Sequence, residues 1–514
     1  MSRINSNIPS LIAQSTMTRT SKELQLRLER LSTGLRINRG ADDPAGLIIS
    51  ERLRSDINGV NQGIKNSDRA SSVIATTEGS LAEVNGLLNS IKGLIVESAN
   101  TGASSKAERE ANQLQIDSAI DSITRISNTA SFGGLKLLNG SLDYQLSGVR
   151  TSAITNVHIN NAQFIDRPNL QVQIDVIASA QTGALYYNGG TGRLPSATTL
   201  QVTGARGVET LTLPAGQTVS AVVAAVNNVT QLTGVKAKTF IDGVNSSIVF
   251  ESVGYGSDSF VSVQRLGGPS SNDPFQLYKF DNNGPKVAPG GWSWATLIGS
   301  NTLIKGQRDS GQDVSALVNG NLASGDGLKI SVNSSSLGLD VVLKEDYATR
   351  PAASIADFNI TGGGAIFQLG QDVNALQQST LGIQSVAASN LGSTLSKGLI
   401  YTLASLKSGG DNSIAESVKK GDFSVSSDVL DASVDQVSIL RGRLGAFEKN
   451  ILQTNVRSLQ NSFENLSASV SQIRDADFAF ETSQLTRAQI LSSAGTSVLG
   501  LANQQSQQVL QLLG

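Results

Sequence analysis

The stretch Arg36–Leu53, "RINRGADDPAGLIISERL", sets two adjacent acids and a proline between two apolar, helix-like segments. Gly40 suits the left-handed position just past a helix end, Asp43 an N-cap, and Pro44 the first turn of a new helix, where its missing N–H is no loss. Asp42 and Asp43 also favour the positive end of the new helix dipole. The local chemistry specifies helix, break, helix. A terminal helix and a longer following one can then belong to different layers of a larger object.

Working outward, Leu24, Leu28, Leu31 and Leu35 precede the break at spacings of four, three and four, a coiled-coil-like seam. Leu53, Ile57, Val60 and Ile64 follow it with the same spacing, and Leu81, Val84, Leu88, Ile91 and Ile95 continue it after a more polar stretch. Near the other end Leu452, Val456, Leu459, Phe463, Leu466, Val470 and Ile473 alternate four and three without a miss. Upstream, Val437, Leu440, Leu444, Phe447 and Ile451 hold a similar seam with a small change of phase. The outermost residues carry shorter apolar stripes: Ile4, Ile8, Leu11 and Ile12 at the start, Val498, Leu501, Val509, Leu510 and Leu513 at the end.

From about Leu142 to Gly410 the composition turns to Gly, Ser, Thr and Asn, with alternating runs such as "LQVQIDVI", which places Leu170, Val172, Ile174 and Val176 on one strand face. "ETLTLPAGQTVSAVVAAVNNV" reads as strand, turn and a helix striped by Val219, Val222, Val223 and Val226, followed by strands at "VKAKTFI" and "SSIVFES". Further strands are expected at "GLKISVN" and "LGLDVVLK". The fold class is therefore multidomain α plus β: an antiparallel, coiled-coil-like helical bundle built from both chain ends, with β-rich domains inserted between them. The expected divisions are residues 1–43 with 475–514, a terminal helical core; 44–142 with 411–474, a long helical rod; and 143–410, the insertion.

Composition agrees. The 514 residues exceed one ordinary core, and with 4% aromatic content the packing must be largely aliphatic. A formal net charge of -2 gives no electrostatic case for nucleic acid or an anionic membrane. No cysteine is present, which removes disulfides, thiolate catalysis and sulfur-ligated metals together. His158, the single histidine, lies in the alternating run "TNVHINN" and reads as a strand-face residue, so a zinc site of the His-Glu-x-x-His type is excluded. "GGTG" and "GGGA" lack a following Gly-Lys-Ser/Thr and read as turns. No cofactor and no catalysis are expected. Neither a signal-peptide core nor a membrane-spanning run is visible, so no membrane insertion is expected.

Residues 31–84, "LSTGLRINRGADDPAGLIISERLRSDINGVNQGIKNSDRASSVIATTEGSLAEV", resemble the N-terminal region of bacterial flagellin. Residues 474–514, "RDADFAFETSQLTRAQILSSAGTSVLGLANQQSQQVLQLLG", resemble its C-terminal region. Residues 198–252 are similar to the insertion module of flagellins and hook-associated proteins, placing that module at about 198–265. The resemblance implies a subunit of the extracellular flagellar filament, a homopolymer of identical or sister flagellins that serves swimming motility. Its terminal segments would line a central channel, the rod would form the next layer, and the insertion would lie outermost.

It further implies export of the unfolded chain through the flagellar type III apparatus without signal cleavage, and folding at the distal tip. A cytoplasmic export chaperone would cover the C-terminal segment ending in "QQVLQLLG", and the filament cap and hook-associated junction proteins would be further partners. The innate immune receptor that senses flagellins would meet "LNSIKGLIVESAN", residues 88–100, including Leu88 and Leu94. Ser90 and Gln115 replace an arginine and a glutamate of the strongly recognised pattern, so weak recognition is expected. A hook-filament junction protein, sharing the two-ended helical plan, stays open as the alternative.

The apolar ends fit this independently. Stripes this short bury little within one chain and make an isolated helix marginal, so neighbouring subunits must complete the core. Charge is consistent with pairing of the two ends. Residues 1–40 carry seven basic and two acidic side chains, whereas residues 475–514 carry three acidic and one basic.

Overall fold

The computed structural model describes residues 7–164, 169–190, 192–242, 245–267, 275–281, 292–334, 336–349, 355–396 and 399–511. Among these residues the helices are α1 (Ile8–Thr33), α2 (Pro44–Ala99), α3 (Lys106–Thr129), α4 (Val219–Asn228), α5 (Thr230–Thr233) and α6 (Trp294–Gly299). There follow α7 (Glu345–Ala348), α8 (Ile414–Lys420), α9 (Ser424–Phe447), α10 (Gln453–Arg474) and α11 (Phe478–Gln511). The helices at the two chain ends enclose a middle built mainly of antiparallel sheets. Two compact units emerge: residues up to Ser72 with Phe367–Gln378 and Gly445–Gly514, and Val73–Ile366 with Ser379–Leu444.

The second unit has a helical part with a largely apolar interior. Ile74, Leu81, Val84, Leu88 and Ile91 of α2, Ile116, Ile120 and Ile123 of α3, and Val429, Val437 and Leu444 of α9 are all buried. α3 starts with a reciprocal capping box between Ser105 and Glu108, a signal visible as Ser-x-x-Glu. Ion pairs Lys92–Asp431 at 2.5 Å and Arg441–Glu78 at 3.9 Å tie α2 to α9. The buried Gln113 side chain donates to the Leu406 carbonyl at 2.9 Å and accepts from the Ile414 amide at 2.8 Å.

The same unit carries two β modules. In the first, a five-stranded sheet runs in the order Asn321–Leu322, Ser315–Val318, Leu170–Ala178, Ala356–Gly363, Tyr144–Ser147. A four-stranded sheet of Ser324–Asp326, Lys329–Asn333, Leu337–Leu343 and Ile154–Ala162 shares its core, which includes Val172, Ile174, Val176, Leu339 and Phe358. Alternation puts these side chains inward on both sheets. His158 sits on Ile154–Ala162 opposite Asp340.

In the second module, Val219, Val222 and Val226 of α4 are buried in one core with Leu200, Val202, Ile248, Phe250, Val261 and Val263 of the strands. Thr218 caps α4 by accepting from the Ala221 amide. Strands outside 198–265, Ala184–Tyr187, Leu277–Phe280 and Leu303–Lys305, complete its five-stranded sheet. Beside them Phe280, Trp292, Trp294, Leu297 and Leu303 form a separate aromatic core, with the rings of Tyr186 and Trp292 4.7 Å apart.

Two sequence expectations are corrected here. The left-handed residue ending α1 is Gly34, with φ 71°, and not Gly40, which has no positive φ. Because α1 stops at Thr33, Leu35 does not extend the helical seam; it lies beyond the cap in an antiparallel bridge with Asp475. The change of phase between the seams ending at Ile451 and starting at Leu452 has a structural cause. A π-helical turn, Glu448–Leu452, separates α9 from α10, and it turns Leu452 inward while Ile451 stays exposed.

Candidate assembly surface

In the first unit α1 and α11 pair antiparallel. At one end Asn7, the N-cap of α1, accepts from the Ser10 amide at 3.1 Å and donates from Nδ2 to the Ala502 carbonyl at 3.1 Å. Ser10 Oγ meets Asn503 Oδ1 at 2.9 Å. At the other end Glu481, only 3% exposed, takes Arg27 Nη1 at 2.9 Å and Arg30 Nη1 at 3.1 Å. The charge asymmetry of the two ends thus resolves into one carboxylate between two guanidiniums.

Apart from the Glu481 ion pair, the buried seam between the helices is made of small side chains. Ala13 and Thr20 are the buried residues of α1, and Glu481 and Ala488 are buried on α11 among the described residues. A Cβ on Gly495 would lie 4.0 Å from Met17 Cβ. Small residues let backbones approach, but they leave the large aliphatics outside. Leu11 is 58% exposed, Ile12 61% and Leu501 67%, and Ile8, Leu28, Ile490 and Val498 are exposed too. Leu24 and Leu31 are half-buried. Ile4 and Leu513, and the side chains of Val509 and Leu510, lie outside the described residues.

The break is a joint between two chain segments. The Arg36 amide donates to the Arg474 carbonyl at 2.6 Å, the Ala476 amide to the Gly34 carbonyl at 2.9 Å, and Arg36 Nη2 to the Ile473 carbonyl at 2.5 Å. The gap between α1 and α2 is therefore tied to the gap between α10 and α11. Asp43 Oδ1 accepts from the Gly46 amide at 2.9 Å, capping α2, whose first residue is Pro44. Asp42 Oδ2 accepts from the Arg39 and Asn38 amides at 2.9 and 3.0 Å, and these backbone donors hold its carboxyl below the usual carboxylate range. Gly40 and Pro44 are exposed.

Sequence reading missed Gly34, Ile37 and Gly46 here. Ile37 is buried, and a Cβ on Gly46 would meet its Cδ1 at 2.8 Å and Asp43 Oδ2 at 2.5 Å. The glycine between the cap and an apolar run was the available signal for that close approach.

The bundle seam is incompletely covered. Val60 and Leu452 are buried, while Leu53, Ile57, Ile64, Val456, Leu459, Leu466 and Val470 are half-buried and Phe463 is exposed. No residue of α10 is fully buried although its apolar spacing is the most regular in the chain. In the second unit Leu88 is buried, Leu94 half-buried, and Ser90 and Gln115 exposed. Among the described residues no helix is long and apolar enough to cross a membrane.

The chain matches the bacterial flagellin N-terminal helical region over residues 4–143 and the C-terminal helical region over residues 427–513. The chain belongs to the bacterial flagellin family. A flagellin hook IN motif matches residues 199–254 within the second β module. A flagellin of Salmonella muenchen is 28% identical over 530 residues, covering 99% of each chain. The B-type flagellin of Pseudomonas aeruginosa is 29% identical over 511 residues, again covering 99% of each. The solved FlgL of Xanthomonas campestris aligns over 82% of this flagellin and 99% of its own chain at 10% identity, with a TM-score of 0.26.

Proposed function

We infer that this flagellin joins its neighbours through the outward aliphatic faces of α1 and α11. The chain is a structural subunit of the flagellar filament, and its full-length relatedness to flagellins does not favour a hook-filament junction protein. The observation that carries the assembly reading is the arrangement of α1 and α11: two long helices meet on a seam of small residues and leave Leu11, Ile12 and Leu501 in water. Exposed aliphatics of this size on paired helices are an interface awaiting a partner.

In this reading residues 1–43 and 475–514 form the innermost layer of the filament, residues 44–142 and 411–474 the next, and residues 143–410 the outer surface. The joint at Arg36–Asp475 fixes where the inner helices leave the rod. Before assembly the inner pair is marginal, so its folding is coupled to addition of the subunit at the distal tip. The same apolar C-terminal segment is the surface an export chaperone would hide, and the absence of cysteine spares a threaded chain any crosslink. Contacts with cap and junction proteins follow from the position of the subunit in the filament. Recognition by an innate immune receptor is weak, because Ser90 and Gln115 supply neither the guanidinium nor the carboxylate of the strongly recognised pattern.

Seeded growth tests the assembly reading. The full-length chain extends short filament seeds under electron microscopy, and chains lacking residues 1–30 or 485–514 stay folded, soluble and monomeric. Normal growth by either truncated chain would overturn it.

A further inference from the structure

The chain crosses between the two β modules twice, outward between Ala178 and Ala184 and back between Ser310 and Ser315. A two-strand crossing is a hinge by default, because relative motion is the ordinary behaviour of modules joined by little else. This crossing is built differently. The Gln181 amide donates to the Gln312 carbonyl at 2.8 Å and the Gln312 amide to the Gln181 carbonyl at 2.9 Å, so the two crossing strands are paired to each other. The Gly256 amide, in the second module's loop between Asn245–Ser252 and Phe260–Leu266, also donates to the Gln181 carbonyl, at 3.2 Å.

Asp313, on the returning strand, reaches both modules. Its Oδ1 accepts from the Ser257 amide at 3.1 Å and from the Gly327 amide at 2.8 Å, and its Oδ2 accepts from the Ser257 hydroxyl at 2.7 Å. Ser257 lies in that same loop of the second module, and Gly327 in the turn between Ser324–Asp326 and Lys329–Asn333 of the first. Hydrogen bonds to an ionised acceptor are roughly twice as strong as neutral ones, so one carboxylate ties loop to turn. The packing around it is close. Gly256 has a φ of 97°, and a Cβ there would lie 2.7 Å from Gly327 Cα. Tyr255, next to it, packs against the first module's core and donates from its hydroxyl to Glu345 Oε1 of α7 at 2.6 Å.

We propose that Asp313 is a latch that locks the two β modules into one rigid body. The loop carrying Tyr255, Gly256 and Ser257 is the part of the second module that the latch grips, and the paired crossing strands keep it in register. On the filament reading, the lock holds the second module at one attitude in every subunit, so the outer surface repeats with the lattice instead of swinging free.

The chain has no cysteine, so Gln173→Cys on an exposed position of the first module and Thr210→Cys on one of the second supply its only two thiols. Spin labels on them report the distance between the modules in the free full-length chain by pulsed electron paramagnetic resonance. We expect one narrow distance distribution with Asp313 intact. In Asp313→Ala it becomes at least twofold wider, while the near-ultraviolet signal of Trp292 and Trp294, in the aromatic core beside the second module, is unchanged. Ser257→Ala removes one of the three donors from an exposed loop residue and widens the distribution by a smaller factor. A distribution already broad with Asp313 intact overturns the proposal. So does an unchanged width in Asp313→Ala, or in Ser257→Ala where the first variant loses the tryptophan signal. The distances are read in the free chain, so failure of wild-type chain to extend seeds overturns the filament reading and leaves the latch standing.

Discussion

Replacing Glu481 by alanine removes the single carboxylate shared by Arg27 and Arg30 at the junction of α1 and α11. The Glu481 side chain is 4% exposed and those of the arginines 20% and 17%, so water compensates only part of the loss. Breaking a buried pair by removing one partner costs about 3–5 kcal/mol, and the residual access of the arginines favours the lower end, about 3 kcal/mol. If the helix pair completes on assembly, that energy enters the subunit addition equilibrium directly. At about 1.4 kcal/mol per factor of ten, the critical concentration for seeded growth rises about 100-fold. Sedimentation of filaments at a series of subunit concentrations measures it. Glu481→Gln, which keeps an acceptor but not the charge, falls between alanine and wild type. The exposed pair Glu416–Lys419, 3.6 Å apart, is the internal comparison. Breaking it with Glu416→Ala changes little, because exposed pairs contribute about 0–1 kcal/mol. A critical concentration for Glu481→Ala within twofold of wild type would refute the coupling of this ion pair to assembly.

Asp43→Ala deletes the side-chain acceptor for the Gly46 amide and costs about 1 kcal/mol, read as faster amide exchange in the first turn of α2 with the rest of that helix unchanged. Gly63→Val pushes against the Leu369 carbonyl, so limited proteolysis cuts the Leu369–Gln377 loop sooner than in wild type while the β modules stay intact. His158 is held below its ordinary pKa by burial, with Asp340 opposing and Arg443 and Lys329 reinforcing the shift. A depressed folded pKa means that the unfolded chain binds the proton first. The contribution is therefore fully present above about pH 6.5 and is lost as pH falls from there toward the folded value. His158→Gln flattens the decline in melting temperature between pH 7.5 and 5.5, and an unchanged slope contradicts the assignment.

The helical ends were legible because one-sided apolar periodicity and turn chemistry agree there. Asp43 and Pro44 could be placed in register from residue type alone, as could the strand face of Val172, Ile174 and Val176. What stayed hidden depended on contacts distant in sequence. Gly34 and Gly40 are both plausible helix ends, and the bridge from Leu35 to Asp475 is what selects Gly34. The regular seam of α10 suggests a buried face, yet spacing cannot say whether the same chain or another one covers it. Likewise, no local pattern distinguishes the braced Leu369–Gln377 loop from an ordinary polar turn, because its support comes from glycines and asparagines on α2 and α10. The strands flanking residues 198–265 are short, and only their pairing identifies them.

The central claim is that α1 and α11 complete their folding when a neighbour covers their exposed aliphatics. Amide hydrogen exchange over residues 8–33 and 478–511, measured in free monomer and in seeded filament, tests it most directly. The expected result is exchange within seconds to minutes in the monomer and protection by several orders of magnitude in the filament, with the cores of the β modules protected in both. Terminal helices equally protected in the monomer would contradict coupled folding, and terminal helices still exchanging freely in the filament would contradict their role as the assembly surface.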